Sequence, residues 1–143
     1  MKNYSNQLIF LGIVLFLLGL IVGLVVPMFA NPRMGVSSHL EGLLNGMFLV
    51  ILGLIWPKLS LSKKWLSITF WLAVYGTFLN WFAVLIAAIF DAGKMLGIVA
   101  EGKEGSELVE GFINFSLYSL SVAMLVICIT ILIGLRNTMK SGA

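Results

Sequence analysis

The chain has 143 residues, of which 60% are hydrophobic and only 10% charged. A water-soluble domain carries about 25% charged residues, so lipid rather than water must cover most of the outside. The length allows one domain, residues 1–143. The net charge of +3 is spread along the chain without a Lys/Arg cluster interleaved with aromatics, which gives nucleic-acid binding no support. The single cysteine, Cys128, rules out an intrachain disulfide and reads as a small buried apolar residue.

A helix needs about 20 apolar residues to cross the hydrocarbon core, and four segments meet or approach that length. The first covers about residues 7–29. It is too long for the apolar region of a signal peptide, and Ala30-Asn31-Pro32-Arg33 follows it rather than a small-x-small cleavage site, so it reads as a retained span. It carries Gly12, Gly19 and Gly23. The Gly19-x-x-x-Gly23 face suits close helix approach, either inside the chain or between copies of it. Asn31-Pro32-Arg33-Met34-Gly35 reads as the break before the second span, since Pro and Gly punctuate helices.

The second span, about residues 38–56, is short and adds Gly42, Gly46 and Gly53 at helical spacing. It opens on Ser38-His39-Leu40-Glu41, which fits a capping box in which Ser38 and Glu41 satisfy free amides at the helix start. His39, the only histidine, then falls in the first turn at the non-cytoplasmic edge. A histidine there can bond a neighbouring loop, hold a metal or haem, or act as an acid or base. Asn45 follows six residues later, about 120° round the helix, so one chain does not aim both side chains at one point. Glu41 and Asn45, four apart, do share a face.

Pro57-Lys58 ends this span, and Ser62-Lys63-Lys64 precedes the third, about residues 65–90. Asn80 lies ten residues before its outer end, about 15 Å deep at the helical rise, with Tyr75 and Thr77 nearby. The longest link, about residues 91–107, holds Gly93, Gly97, Gly102 and Gly105 with most of the acidic residues. The fourth span, about residues 108–135, carries Asn114, Tyr118 and Ser121 at the i, i+4, i+7 spacing of one face. The apolar runs are continuous rather than alternating, which favours helices over a barrel. The expected fold is therefore all-α, an integral membrane four-helix bundle.

Basic residues orient it. Lys2, Lys58, Lys63, Lys64, Arg136 and Lys140 share one side, against Arg33, Lys94 and Lys103 on the other. The positive-inside bias then places both termini in the cytoplasm and the chain in the inner (cytoplasmic) membrane. His39, Asn45, Asn80, Asn114 and Tyr118 all fall in the outer half of the bilayer, where costly polar groups at a shared depth suggest one site. There is no second histidine, cysteine pair, phosphate-binding or dinucleotide glycine pattern, and no H-E-x-x-H. A zinc site would need more nitrogen and sulfur ligands than the chain has. A haem with a single histidine is allowed, and its open sixth position favours substrate binding over electron transfer.

The stretch Asn31-Pro32-Arg33-Met34-Gly35-Val36-Ser37-Ser38-His39-Leu40-Glu41-Gly42-Leu43-Leu44-Asn45-Gly46 resembles the membrane-bound hydroxylaminobenzene mutases. So do Tyr75-Gly76-Thr77-Phe78-Leu79-Asn80-Trp81 and the Gly- and Glu-rich third link, and the likeness covers nearly the whole chain. The His-x5-Asn-Gly element, Pro57 and Asn80 also resemble the more distant styrene oxide isomerases. The second resemblance implies a homotrimer with haem b between subunits, His39 as the iron ligand, and Asn45 and Asn80 lining the substrate pocket. By ungapped counting from Asn45, the epoxide isomerases' catalytic tyrosine falls at Val84 and their pocket aspartate at Gly76, departures that favour the mutase branch. Tyr75 or Tyr118 is left as the source of a hydroxyl.

The implied activity is conversion of hydroxylaminobenzene to 2-aminophenol, a redox-neutral hydroxyl transfer with ferric haem as Lewis acid. It would act on a small aromatic substrate that arrives through the lipid bilayer. The alternatives are a haem-dependent epoxide isomerase that forms a carbonyl compound, and a non-catalytic membrane haem or scaffold protein.

Overall fold

A computed structural model describes residues 3–141. Four long helices account for most of them: α1 (Tyr4–Val25), α2 (Pro32–Ile55), α3 (Lys63–Ile89) and α4 (Glu107–Ser141). All four are long and apolar enough to cross a membrane, and no strand occurs among the described residues. At about 1.5 Å per residue α4 is some 50 Å long, well beyond a hydrocarbon core of about 30 Å. The start of α1 and the last turns of α4 lie at the end of the bundle that carries the α2–α3 link. Tyr4 donates to Ser67 and Ser5 to the Gly53 carbonyl, while Asn137 donates to the Ser60 carbonyl.

The α2 helix begins six residues earlier than the sequence suggests. Asn31 is the N-cap, its side chain accepting from Met34 N at 3.1 Å, and Pro32 is the first helical residue. The stretch Asn31-Pro32-Arg33-Met34-Gly35, expected as a break, is thus a cap followed by the first turn of α2, with proline at the first position, where its missing N–H costs nothing. The true break is confined to residues 26–31. The capping-box reading of Ser38 and Glu41 falls with it, and His39 lies in the third turn rather than the first.

Lipid is as apolar as the side chains it touches, so close packing and buried hydrogen bonds, not hydrophobicity, hold such helices together. Glycines carry the α1–α2 contact. A Cβ on Gly42 would stand 2.5 Å from the Gly19 Cα, and one on Gly46 would stand 2.7 Å from the Gly12 carbonyl oxygen. The small-residue face is therefore filled within the chain. The α2 helix then packs on α3, and α3 on α4, while α1 and α4 make no contact among the described residues. The bundle is open on that side. Leu8, Leu15, Leu49, Leu52, Trp56 and Phe70 form the core at one end, and Met34, Val84, Ala87, Ala88 and Ile113 form it at the other.

At the end away from the α2–α3 link, Asn31 N donates to the Ala88 carbonyl at 3.0 Å, and Asn31 Nδ2 donates to Asp91 at 3.0 Å. The α3–α4 link turns at Gly93 (φ 143°) and Gly102 (φ 73°). The Glu110 carboxylate gathers the link by accepting from the backbone N–H groups of Gly93, Lys94 and Gly105 at 2.8–3.0 Å. Arg33, Lys94 and Lys103 pair there with Glu101, Glu104 and Asp91.

Candidate functional site

His39 leans toward α1. Its Nδ1 lies 2.8 Å from the Gly19 carbonyl oxygen. A carbonyl only accepts, so Nδ1 carries the hydrogen and donates, and in the neutral ring the lone pair is on Nε2. Gly23 makes room for the ring, since a Cβ there would stand 2.6 Å from Nδ1 and 2.9 Å from Cε1. A histidine that ligates a metal usually donates its other ring N–H to a carbonyl or carboxylate in this way.

Glu41 leans the other way, toward α3. Its Oε2 accepts from Asn45 Nδ2 at 2.9 Å and from Asn80 Nδ2 at 2.6 Å. Asn45 Nδ2 also donates to the Glu41 backbone carbonyl at 2.9 Å. Ser38, inside the helix, donates to the Trp81 carbonyl at 3.4 Å and ties α2 to α3 one turn above. Glu41 is nine residues from Pro32, and Asn80 is nine from Ile89. That puts both about 14 Å along their helices from the same end.

The structure thus brings Asn45 and Asn80 together, and it adds Glu41 as the group that joins them. The sequence reading had assigned Glu41 to capping. The signal for its larger role was present: a carboxylate inside a span, four residues from an asparagine on the same face. His39 lies on the other flank of α2, as the 120° offset required. Between the two flanks runs an outward-facing stripe of Val36, Leu40, Leu44, Met47, Ile51 and Leu54.

Asn114 and Tyr118 do not join this cluster within one chain. The Asn114 Oδ1 is buried without a hydrogen bond among the described residues, and Tyr118 is 66% exposed on α4. Ser121 donates to the Leu117 carbonyl of its own helix. Tyr75 shares a 2.8 Å hydrogen bond with Ser119, which links α3 to α4. Thr77 donates to the Ala73 carbonyl. Val84 is buried, and Gly76 packs on Met124, so neither position offers a reacting group. Cys128 is exposed rather than buried, because α4 packs on one side only. Among the described residues no group of three or more His, Cys, Asp or Glu side chains is placed to hold a metal ion. A cavity of about 840 Å³ lies at the opposite end, lined by Asn3, Tyr4, Trp56, Pro57 and Lys63, remote from the polar cluster.

The family model described as styrene oxide isomerase matches residues 4–136. The chain belongs to that family. Hydroxylaminobenzene mutase HabB of Ectopseudomonas oleovorans is 54% identical over 134 residues, which cover 93% of this chain and 82% of HabB. Hydroxylaminobenzene mutase HabA of the same organism is 50% identical over 125 residues, covering 87% of this chain and 93% of HabA. No solved structure matches the chain.

Proposed function

We propose that this member of an isomerase family acts on aromatic hydroxylamines, converting hydroxylaminobenzene to 2-aminophenol. The observation that carries the reading is the 54% identity to a hydroxylaminobenzene mutase along 93% of the chain. In this reaction the N–O bond breaks and a C–O bond forms at the ortho carbon. The displaced ring proton leaves, and nitrogen gains a proton. Substrate and product are isomers, so no external oxidant or reductant is consumed.

The proposed cofactor is haem b, held by His39 Nε2 between the subunits of a homotrimer. In its ferric state it supplies Lewis acidity toward the hydroxylamine oxygen. Two features support His39 in that role: the hydrogen bond from Nδ1 to Gly19, and the space left by Gly23. The subunit boundary is supported by divergence. His39 faces α1 while Asn45 and Asn80 meet on the α3 side, with an exposed apolar stripe between them. One substrate touches both kinds of group only if a second copy brings its own α2 alongside.

Asn45 and Asn80 bind and orient the substrate's nitrogen and oxygen. Tyr118 faces outward on α4 and can meet a substrate only at a boundary with another copy. A small arene enters from the surrounding lipid. We place both termini in the cytoplasm with the chain in the inner membrane. Consistent with this, Lys58, Lys63, Lys64, Arg136 and Lys140 form no ion pair among the described residues, whereas the basic residues at the other end are all paired.

The test is incubation of detergent-purified protein with hydroxylaminobenzene and chromatographic measurement of 2-aminophenol. His39→Ala is expected to lower the rate by about 100-fold or more. No 2-aminophenol from the wild type refutes the assignment. An unchanged rate in His39→Ala refutes the role of the histidine. A pyridine haemochrome assay reads the cofactor separately. A second reading, isomerisation of an aryl epoxide to a carbonyl compound, is favoured by the family model itself and is assayed with styrene oxide on the same sample.

A further inference from the structure

An amide side chain has a donor end and an acceptor end, and which end a pocket presents is fixed by what holds the other. Asn45 uses both N–H groups of Nδ2 on Glu41: one on the backbone carbonyl oxygen and one on Oε2, each at 2.9 Å. Reversing the amide would set its oxygen against two acceptors, so the orientation is determined. Asn80 gives Nδ2 to the same Oε2 at 2.6 Å. Both amides are thus pulled by nitrogen toward one carboxylate oxygen. The Oδ1 atoms of Asn45 and Asn80 accept no hydrogen bond among the described residues. Asn45 has no N–H left to offer.

We infer that Glu41 is a specificity-determining positioning residue, turning Asn45 and Asn80 so that the site offers amide oxygens and selects substrates that bring their own donors. An aromatic hydroxylamine carries an N–H and an O–H. An aryl epoxide carries only an acceptor oxygen, and against this surface that oxygen would meet Oδ1 atoms or the one remaining N–H of Asn80. A polar group left without a partner at a water-poor site is rejected far more strongly than an apolar misfit. The inference rests on the proposed reading that Asn45 and Asn80 line the substrate site, and it goes further by naming what decides between the two substrate classes.

The test compares two ligands of nearly equal shape that are not themselves rearranged: N-methylaniline, which has an N–H, and methoxybenzene, which has only acceptors. Equilibrium dialysis against the detergent-purified full chain gives both affinities whether or not the sample turns over. The wild type is expected to prefer N-methylaniline by about tenfold or more. Glu41→Met, of similar volume but without the acceptor, should bring the ratio to within about twofold of unity. Glu41→Gln keeps a side-chain oxygen able to accept both bonds and should restore the preference.

A wild-type ratio of one or less overturns the inference, and that measurement needs no variant to fold. So does an unchanged ratio in a folded Glu41→Met protein. Formation of 2-aminophenol, assayed on the same wild-type sample, separates the outcomes. Activity with no donor preference sinks this inference alone, whereas a donor preference without activity sinks the assigned reaction and leaves the amide orientation standing.

Discussion

Gly23→Ala tests the placement of the histidine through a single methyl group. The new Cβ would lie 2.6 Å from His39 Nδ1 and 2.9 Å from Cε1, where carbon and nitrogen need about 3.5 Å. The ring must retreat by about 1 Å. That displacement stretches the 2.8 Å bond to the Gly19 carbonyl past the limit of about 3.5 Å at which a hydrogen bond ceases to count. Folding loses about 1 kcal/mol for the bond and about 1–3 kcal/mol for the crowding, of which alanine's better helix propensity returns about 1 kcal/mol. The protein should therefore still fold. If His39 holds the proposed haem, function suffers more, since removing the partner that orients a ligating histidine typically costs 10–100-fold. The assay is kcat/KM for hydroxylaminobenzene alongside thermal unfolding followed by size-exclusion chromatography. Gly111→Ala is the control, because nothing stands within 4 Å of a Cβ there. A Gly23→Ala protein with wild-type kcat/KM would refute the idea that the Nδ1–Gly19 bond sets the ring for its task.

Substitutions at three further positions probe the frame around the site. Gly42→Ala drives a Cβ to 2.5 Å from the Gly19 Cα, backbone on backbone, so α1 and α2 must part. The expected loss is about 3 kcal/mol, the upper part of the overpacking range, seen as a clear fall in the thermal midpoint, and an unchanged midpoint would count against the close α1–α2 contact. Glu110→Ala leaves the amides of Gly93, Lys94 and Gly105 without their shared acceptor. Bonds to a charged group are worth about 1.5–3 kcal/mol each, so limited proteolysis should cut the 91–106 link much faster, with the helices intact. Asn31→Ala removes the α2 cap and the bond to Asp91. It should lower stability by about 1–2 kcal/mol, while Asn31→Asp, able to cap but set against Asp91, should recover only part of it.

The four spans were legible because lipid demands long apolar runs, and the interruptions between them are few. Their outer limits were less so. The α4 helix runs on to Ser141, since nothing in a polar tail beyond the hydrocarbon forbids continued helix. The glycines of α1 and α2 announced close contact but not with what, and only the packing of Gly19 on Gly42 and Gly12 on Gly46 assigns that face to the chain itself. Cys128 was misread for a related reason. An apolar run looks the same whether a helix is surrounded by protein or flanks the bundle, as α4 does.

The site was half legible, and one local error accounts for the missing half. Periodicity correctly separated His39 from Asn45, and the structure turns them to α1 and α3 respectively. The pairing of Glu41 with Asn80 was hidden by the position assigned to the start of α2. Counted from Ser38, Glu41 lies three residues into its helix, about 5 Å deep, against about 15 Å for Asn80. Two groups so different in depth on antiparallel neighbours do not meet. Counted from Pro32, with Asn31 as cap, both lie nine residues from the same end of their helices, and their contact follows from the helical rise alone. A proline after asparagine is as much a helix start as a helix break. Which reading is adopted decides whether Glu41 is a cap at the membrane edge or the carboxylate that sets the amides of the site.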